Sequence, residues 1–364
     1  FNVPFPADYG GVIDVYYRIV SLYKAGVRIH LHCYTYGRKP APELETICEE
    51  VHYYHRTTRI DKLFTREPYI VSSRHSAELI QQLRKDHYPI LLEGLHNGWV
   101  LQQICDSDPQ RKVFVRAHNV EHEYYIQLAH AEQHPLKRLY LKREAVKLKA
   151  YEPILRKASV VYPITEKDAR HFHAIGCPNV VHLPGSHPYS NILSRKGSGQ
   201  YAIYHGNLSV PENIEAAMQL INEVFTNQDI PLIIAGKDPH PRIQSAIQNK
   251  PWITLLGNPT DEEMEQRIAD AQINILITKQ NTGIKLKLLH SLFCGRHCLV
   301  NTPMIEGTGF DNLCCIADTP SELKKQLKRH MQIPFTKDII NKRKQVLIDQ
   351  FSSSNAIVPL VNNL

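Results

Sequence analysis

The chain has 364 residues, which at about 150 residues per domain corresponds to two domains. Hydrophobic residues make up 43% and charged residues 22%, a balance that excludes a disordered or fibrous chain. The formal charge of +7, with 20 histidines beside it, favours anionic partners: nucleotide diphosphates, lipid head groups or nucleic acid.

Eight cysteines, at 33, 48, 105, 177, 294, 298, 314 and 315, include no CxxC pair, so the expectation is reduced thiols rather than a disulfide framework or metal knuckle. No apolar run approaches the roughly 20 residues needed to cross a bilayer. No charged leader with a small-residue cleavage site opens the sequence. The expected setting is cytoplasmic, with peripheral contact at the inner face of a membrane as a further expectation.

Strand-like apolar runs alternate with helix-like periodic segments, the pattern of parallel sheets flanked by helices. The first half carries VRIHLHCYT from Val27, EVHYYH from Glu50, PILLEG from Pro89, KVFVRA from Lys112 and ASVVYPI from Ala158. The rhythm restarts with YAIYHG from Tyr201, PLIIAG from Pro231, WITLLG from Trp252, INILIT from Ile273 and HCLVN from His297. The polar stretch from His187 to Gln200 reads as the hinge. This predicts Rossmann-like domains over 1–188 and 189–335, with a helical tail over 336–364 that either caps the second or crosses back to the first.

Ligands of open parallel sheets gather beyond the carboxyl ends of strands, so strand-to-helix turns carry the most weight. In PFPADYGG, Gly10 and Gly11 precede an amphipathic run, where exposed N–H groups attract anions; the pair reads equally as a plain loop. In RAHNVEHEYY, His118 follows a strand and Asn119 is the expected N-cap. His118 and His122 are spaced like a zinc pair but lack the Glu directly after the first His, so His122 reads as a helix-surface residue. In YHGNLSVPENIEA, Gly206 closes a strand and Pro211 with Glu212 opens a helix. The fourth turn, TGIKLKLLHSLFCG, places Lys285 and Lys287 in the opening turn of a helix, where cations oppose the macrodipole unless an anion lies beside them. Solvated lysines are the plain alternative.

With these stretches in order, the chain resembles GT-B glycosyltransferases of family 4, the retaining nucleotide-sugar enzymes, over nearly its whole length. The resemblance rests on PFPADYGG, RAHNVEHEYY, the run from YLKREAVKLKAYE to VVYPITEKDA, YHGNLSVPENIEA, and GIKLKLL followed by MIEG. It implies two Rossmann-like doubly wound domains facing a cleft, the second holding the donor, and a hexose-type sugar passing to a glycan or lipid-linked acceptor without metal or cofactor. The donor is expected to be of the UDP or GDP type. By the same resemblance His118 lies beside the transferred sugar. Gly10 and Gly11 lie near the donor phosphate or the acceptor, and Gly206 and Asn207 border the nucleotide. Gly283 and Ile284 meet the diphosphate through backbone N–H groups, with Lys285 and Lys287 stabilising its charge.

The chain departs from that pattern. The family usually has two Glu residues eight apart where this sequence has Thr282 and His290. Its Arg and Lys after the first strand of the second domain are replaced by a stretch with Asn207, Ser209, Pro211 and Glu212. Glu306 in MIEG is the candidate carboxylate for the ribose. The second expectation is therefore a scaffold that binds a nucleotide-sugar or glycan without efficient transfer. A third, an epimerase, lacks an identifiable carboxylate acid/base set.

Asp106 and Asp108 follow a helical run and read as a solvated turn, and His30 with His32 and His171 with His173 read as structural pairs. The stretch from His134 to Lys157 gathers Lys137, Arg138, Lys142, Arg143, Lys147 and Lys149 among Leu and Tyr. It reads either as a solvated face or as a helix for anionic lipid. A nucleic-acid partner is not expected, because no docking module accompanies the charge.

Overall fold

Each of the ten apolar runs contains a parallel strand. The structure is a computed structural model describing residues 1–8, 10–132, 134–227, 229–279 and 286–364. It divides into two units, one of Phe1–Pro188 with Ser353–Leu364 and one of Tyr189–Ser352. The segment from 336 onward is thus shared: a helix at Lys337–Phe351 lies with the second unit, and residues 353–364 lie with the first.

In the first unit β1 (His30–Thr35) pairs with β2 (Glu50–His55). A separate sheet has the order β3 (Ile90–Glu93), β4 (Val113–Ala117), β5 (Val160–Pro163). Strand β4 is buried on both faces, which explains its nearly unbroken apolar run. Val113 and Val115 join one core with Leu101 and Leu148. Phe114, alternating to the other face, packs with Tyr162, Leu22 and Leu360. Burying each such side chain stabilises the fold by about 1.5–3 kcal/mol. The last residues of the chain therefore complete a core laid down near its start.

The second unit holds β6 (Ala202–His205), β7 (Leu232–Gly236), β8 (Ile253–Gly257), β9 (Ile273–Leu276), β10 (His297–Val300) and β11 (Cys315–Ile316). Their order is β11-β10-β9-β6-β7-β8, all parallel. The chain builds outward from β6 through β8, then returns to add β9 to β11 on the other side. That reversal makes the carboxyl ends of β6 and β9 the switch point, where the flanking loops diverge. Alternate residues bury on opposite faces: Tyr204 and Ile275 in one core, Ile203 and Leu276 in the other. Two flanking helices start with capping boxes, Thr260 with Glu263 and Thr319 with Glu322.

Candidate functional site

Among the described residues, polar groups gather at the carboxyl ends of strands in each unit. In the first unit the helix Gly10–Lys24 begins at the glycine pair and places Asp14 and Arg18 one turn apart, with the Arg18 guanidinium 2.9 Å from Asp14 Oδ2. The same guanidinium donates to both carboxylate oxygens of Glu93, at 2.7 and 2.8 Å. Glu93 ends β3, and the chain turns away through Gly94 at φ +79°, a conformation that favours glycine. Arg116, wholly buried in β4, reaches Asp14 at 3.3 Å and the carbonyls of Leu183 and Pro184. The N–H of Ser186 donates to Asp14 Oδ1 at 2.6 Å.

His118 closes this network. Its Nε2 lies 2.9 Å from Glu93 Oε2 and its Nδ1 3.6 Å from Asp14 Oδ2, while its ring stacks on Phe1. Burial opposes ionisation of Asp14, but Arg116 and Arg18 outweigh it and hold the carboxyl well below its usual range. Glu93, likewise buried, is drawn down to about 2 by Arg18 and the His118 hydrogen bond. Asp14, Glu93 and His118 are close enough to ligate an ion. The two guanidiniums already supply the positive charge there.

Asn119 does not cap the following helix: Glu121–Ala131 starts after Val120, with no side-chain cap bond. His118 therefore lies outside the helix, and its spacing to His122 brings no pair together. His122 is not a surface residue. It is buried with Nδ1 3.4 Å from Glu152 Oε1, while His171 Nε2 approaches Glu152 Oε2 at 2.7 Å. A helix position looks exposed until the neighbouring helix that covers it is known. His32 and His52 face each other in register with stacked rings, and burial followed by the nearby His52 charge lowers His32 to about 4. Asp106 pairs with Lys157 and Asp108 with His87.

In the second unit the switch point is built from both diverging loops. Gly206 leaves β6, its N–H donating to Ala235 O at 3.1 Å. A Cβ on Gly236, at the end of β7, would stand 1.7 Å from Gly206 O, so that approach requires glycine. Asn207 Oδ1 accepts from the N–H and hydroxyl of Ser209, at 2.9 and 2.7 Å, which sets the turn into the helix Pro211–Gln219. Asn213 on that helix donates to Asn207 O at 2.9 Å and accepts from Lys287 Nζ at 2.9 Å. Lys287 also lies over the Tyr204 ring, 5.2 Å from its centroid. Thr278, after β9, donates its hydroxyl to Glu212 and exchanges bonds with the side chain of Asn301.

Thr282, Gly283, Ile284 and Lys285 lie outside the described residues. His290, in the helix Leu286–Cys294, packs against the rings of Tyr189 and His205. Burial, then the neighbouring His290 and Lys287, push His205 far below its ordinary range, so it is the neutral partner of Ser291 Oγ at 3.0 Å. Glu306 is exposed just past the short helix Thr302–Ile305. His118 thus belongs to the first unit's cluster, Gly10 and Gly11 begin the helix that carries Asp14 into it, and Gly206, Asn207 and Lys287 belong to the second's. A cavity of about 330 Å³ beside Cys298 and Arg343 lies at the amino ends of β10 and β11, the other end of this sheet.

Asp14, Arg18, Glu93, Arg116 and Asn213 escaped sequence reasoning. The available signals were an ionisable residue in each of two apolar strands, and an Asp-Arg pair four apart after the glycines.

No protein-family model and no curated protein matches the chain. Solved structures do. A UDP-forming trehalose-phosphate synthase from Burkholderia xenovorans, in complex with glucose-6-phosphate, aligns at TM-score 0.64 and 10% identity, covering 100% of this chain and 97% of that one. Anabaena HepE, in complex with UDP and glucose, aligns at 0.63 and 12%, covering 100% and 98%. The fold is GT-B. TarM aligns at 0.56 and 12% over 78% of this chain, which spans 57% of TarM's own length. Within a GT-B chain, the doubly wound sheet with its switch point between β6 and β9 is the second Rossmann-like unit.

Proposed function

We propose that this GT-B chain is a metal-independent glycosyltransferase moving a hexose-type sugar from a nucleotide diphosphate-sugar to a glycan or lipid-linked acceptor, with retention. The observation that carries the reading is Lys287: its ammonium group is held by Asn213 and the Tyr204 face at the switch point, where such sheets receive ligands. Full-length likeness to HepE, described with UDP and glucose, supports the same donor class. In the reaction the acceptor hydroxyl oxygen bonds to the anomeric carbon as the bond to the diphosphate oxygen breaks. The hydroxyl proton passes to the departing phosphate, and Lys287 with Lys285 stabilises the charge left on it. The lysines supply that stabilisation without a metal ion, and the family 4 assignment belongs to the same proposal.

One observation favours the second reading, a binder without efficient transfer: both ring nitrogens of His118 are turned to carboxylates of its own unit. A thermal-shift panel of UDP, GDP, ADP and their sugars, followed by assays of sugar release and of transfer to a mixed acceptor library, separates the two. Transfer is the expected result. Binding without sugar release would establish the second reading, and a silent panel would overturn both.

A further inference from the structure

We propose that the helix Pro135–Tyr151 is a docking surface for an anionic lipid bilayer. Its inner side is set by Glu144, Ala145 and Leu148, which are buried. Its outer side is unusual: Leu136, Leu139 and Val146 are 71%, 65% and 71% exposed. Leu139 and Val146, seven apart, form one stripe with Leu136 just round from it. Lys142 and Lys149, also seven apart, run alongside, and Arg138 and Arg143 flank the stripe; all four are exposed. The acidic residue of the helix, Glu144, faces inward and is paired with Lys147 at 2.7 Å.

A second element touches this helix and also exposes apolar side chains. Lys147 Nζ donates to Leu63 O at 3.0 Å, in the short helix Ile60–Phe64, where Ile60 and Phe64 are 73% and 71% exposed beside Lys62, while Arg59 is paired with the exposed Asp61 at 3.1 Å. Apolar side chains that insert, ringed by cations that meet phosphate, match the chemistry of an anionic interface. A protein partner would need a complementary acidic, apolar face; a second copy of this helix, bearing the same positive charge, is repelled. The assignment is independent of the donor site.

The test uses the full chain sedimented with vesicles of phosphatidylglycerol in phosphatidylcholine, and with phosphatidylcholine alone. Binding is expected only to the anionic vesicles, weakening as salt rises. Lys142→Gln with Lys149→Gln should lower partitioning about thirtyfold, from about one kcal/mol per basic residue. Leu139→Gln with Val146→Gln should lower it as well, and these exposed sites leave the circular dichroism spectrum unchanged. Lys287→Ala should leave vesicle binding intact, separating this surface from the donor site. Absence of binding to anionic vesicles, binding indifferent to both double variants, or a dimer that Leu139→Gln dissolves in the absence of vesicle binding would each overturn the proposal.

Discussion

The ammonium nitrogen of Lys287 lies 2.9 Å from Oδ1 of Asn213, joining the helix after β9 to the helix after β6 across the switch point of one sheet. A lysine alone near a helix start is a mobile charge. Fixed by an amide and an aromatic face, it becomes a positioned cation whose direction is set before any anion arrives.

Asn213→Asp changes that partner from a dipole to a charge. The carboxylate neutralises Lys287 and repels phosphate, so affinity for nucleotide diphosphates should fall by roughly 1–3 kcal/mol. Calorimetric titration with UDP and GDP checks this, and unchanged affinity would place the ammonium away from the phosphates.

Gly236→Ala places a methyl group against the carbonyl of Gly206, which cannot give way without moving the loop that carries Asn207. The expected stability loss is about 1–3 kcal/mol, as for other overpacked interiors. Urea unfolding measures it, with reduced nucleotide affinity as the accompanying change.

Asp14→Asn removes the charge that Arg18, Arg116 and the Ser186 N–H share. Arg116 would then face a neutral amide in a site cut off from water while Arg18 keeps only Glu93, at a cost of about 3–5 kcal/mol. A urea midpoint within a fraction of 1 M of the parent's would contradict the buried network.

The buried carboxyls set opposite slopes against pH. Glu93 and Asp14 are lowered in the folded chain, so their contribution is present above the ordinary carboxylate range and is lost as pH falls through it toward about 2. Glu121 is raised to about 7 and Asp168 to about 6, chiefly by burial, so the folded state holds extra protons and stability declines as pH rises from about 4.5 to 7. Glu121→Gln should flatten that decline and gain about 1–3 kcal/mol at pH 8. Equal slopes for the variant and parent in urea unfolding between pH 4.5 and 8 would exclude Glu121 as its source.

Strands were legible because a parallel strand covered on both faces must be apolar throughout, as VFVRA and INIL are apart from Arg116 and Asn274. The positions of Gly206 and Asn207 in a strand-to-helix turn and of Lys287 near the start of a helix were legible because ends of such strands are where turns expose backbone and charge. Their partners were not. Arg116 meets Asp14 across 102 positions and Arg18 meets Glu93 across 75, pairings fixed by which strands and helices become neighbours. The tail illustrates the same limit: Leu347 and Leu360 are both apolar, yet one packs in the second unit's core and the other beside Phe114.

The most direct measurement is calorimetric titration of UDP and GDP into the parent chain and Lys287→Ala. A saturable isotherm for at least one nucleotide, weakened in the variant by roughly 1.5–3 kcal/mol as befits a charge-assisted contact, is the predicted result. Heat-silent titrations with both nucleotides, or equal affinity in the two proteins, would contradict the assignment of Lys287 to a diphosphate site.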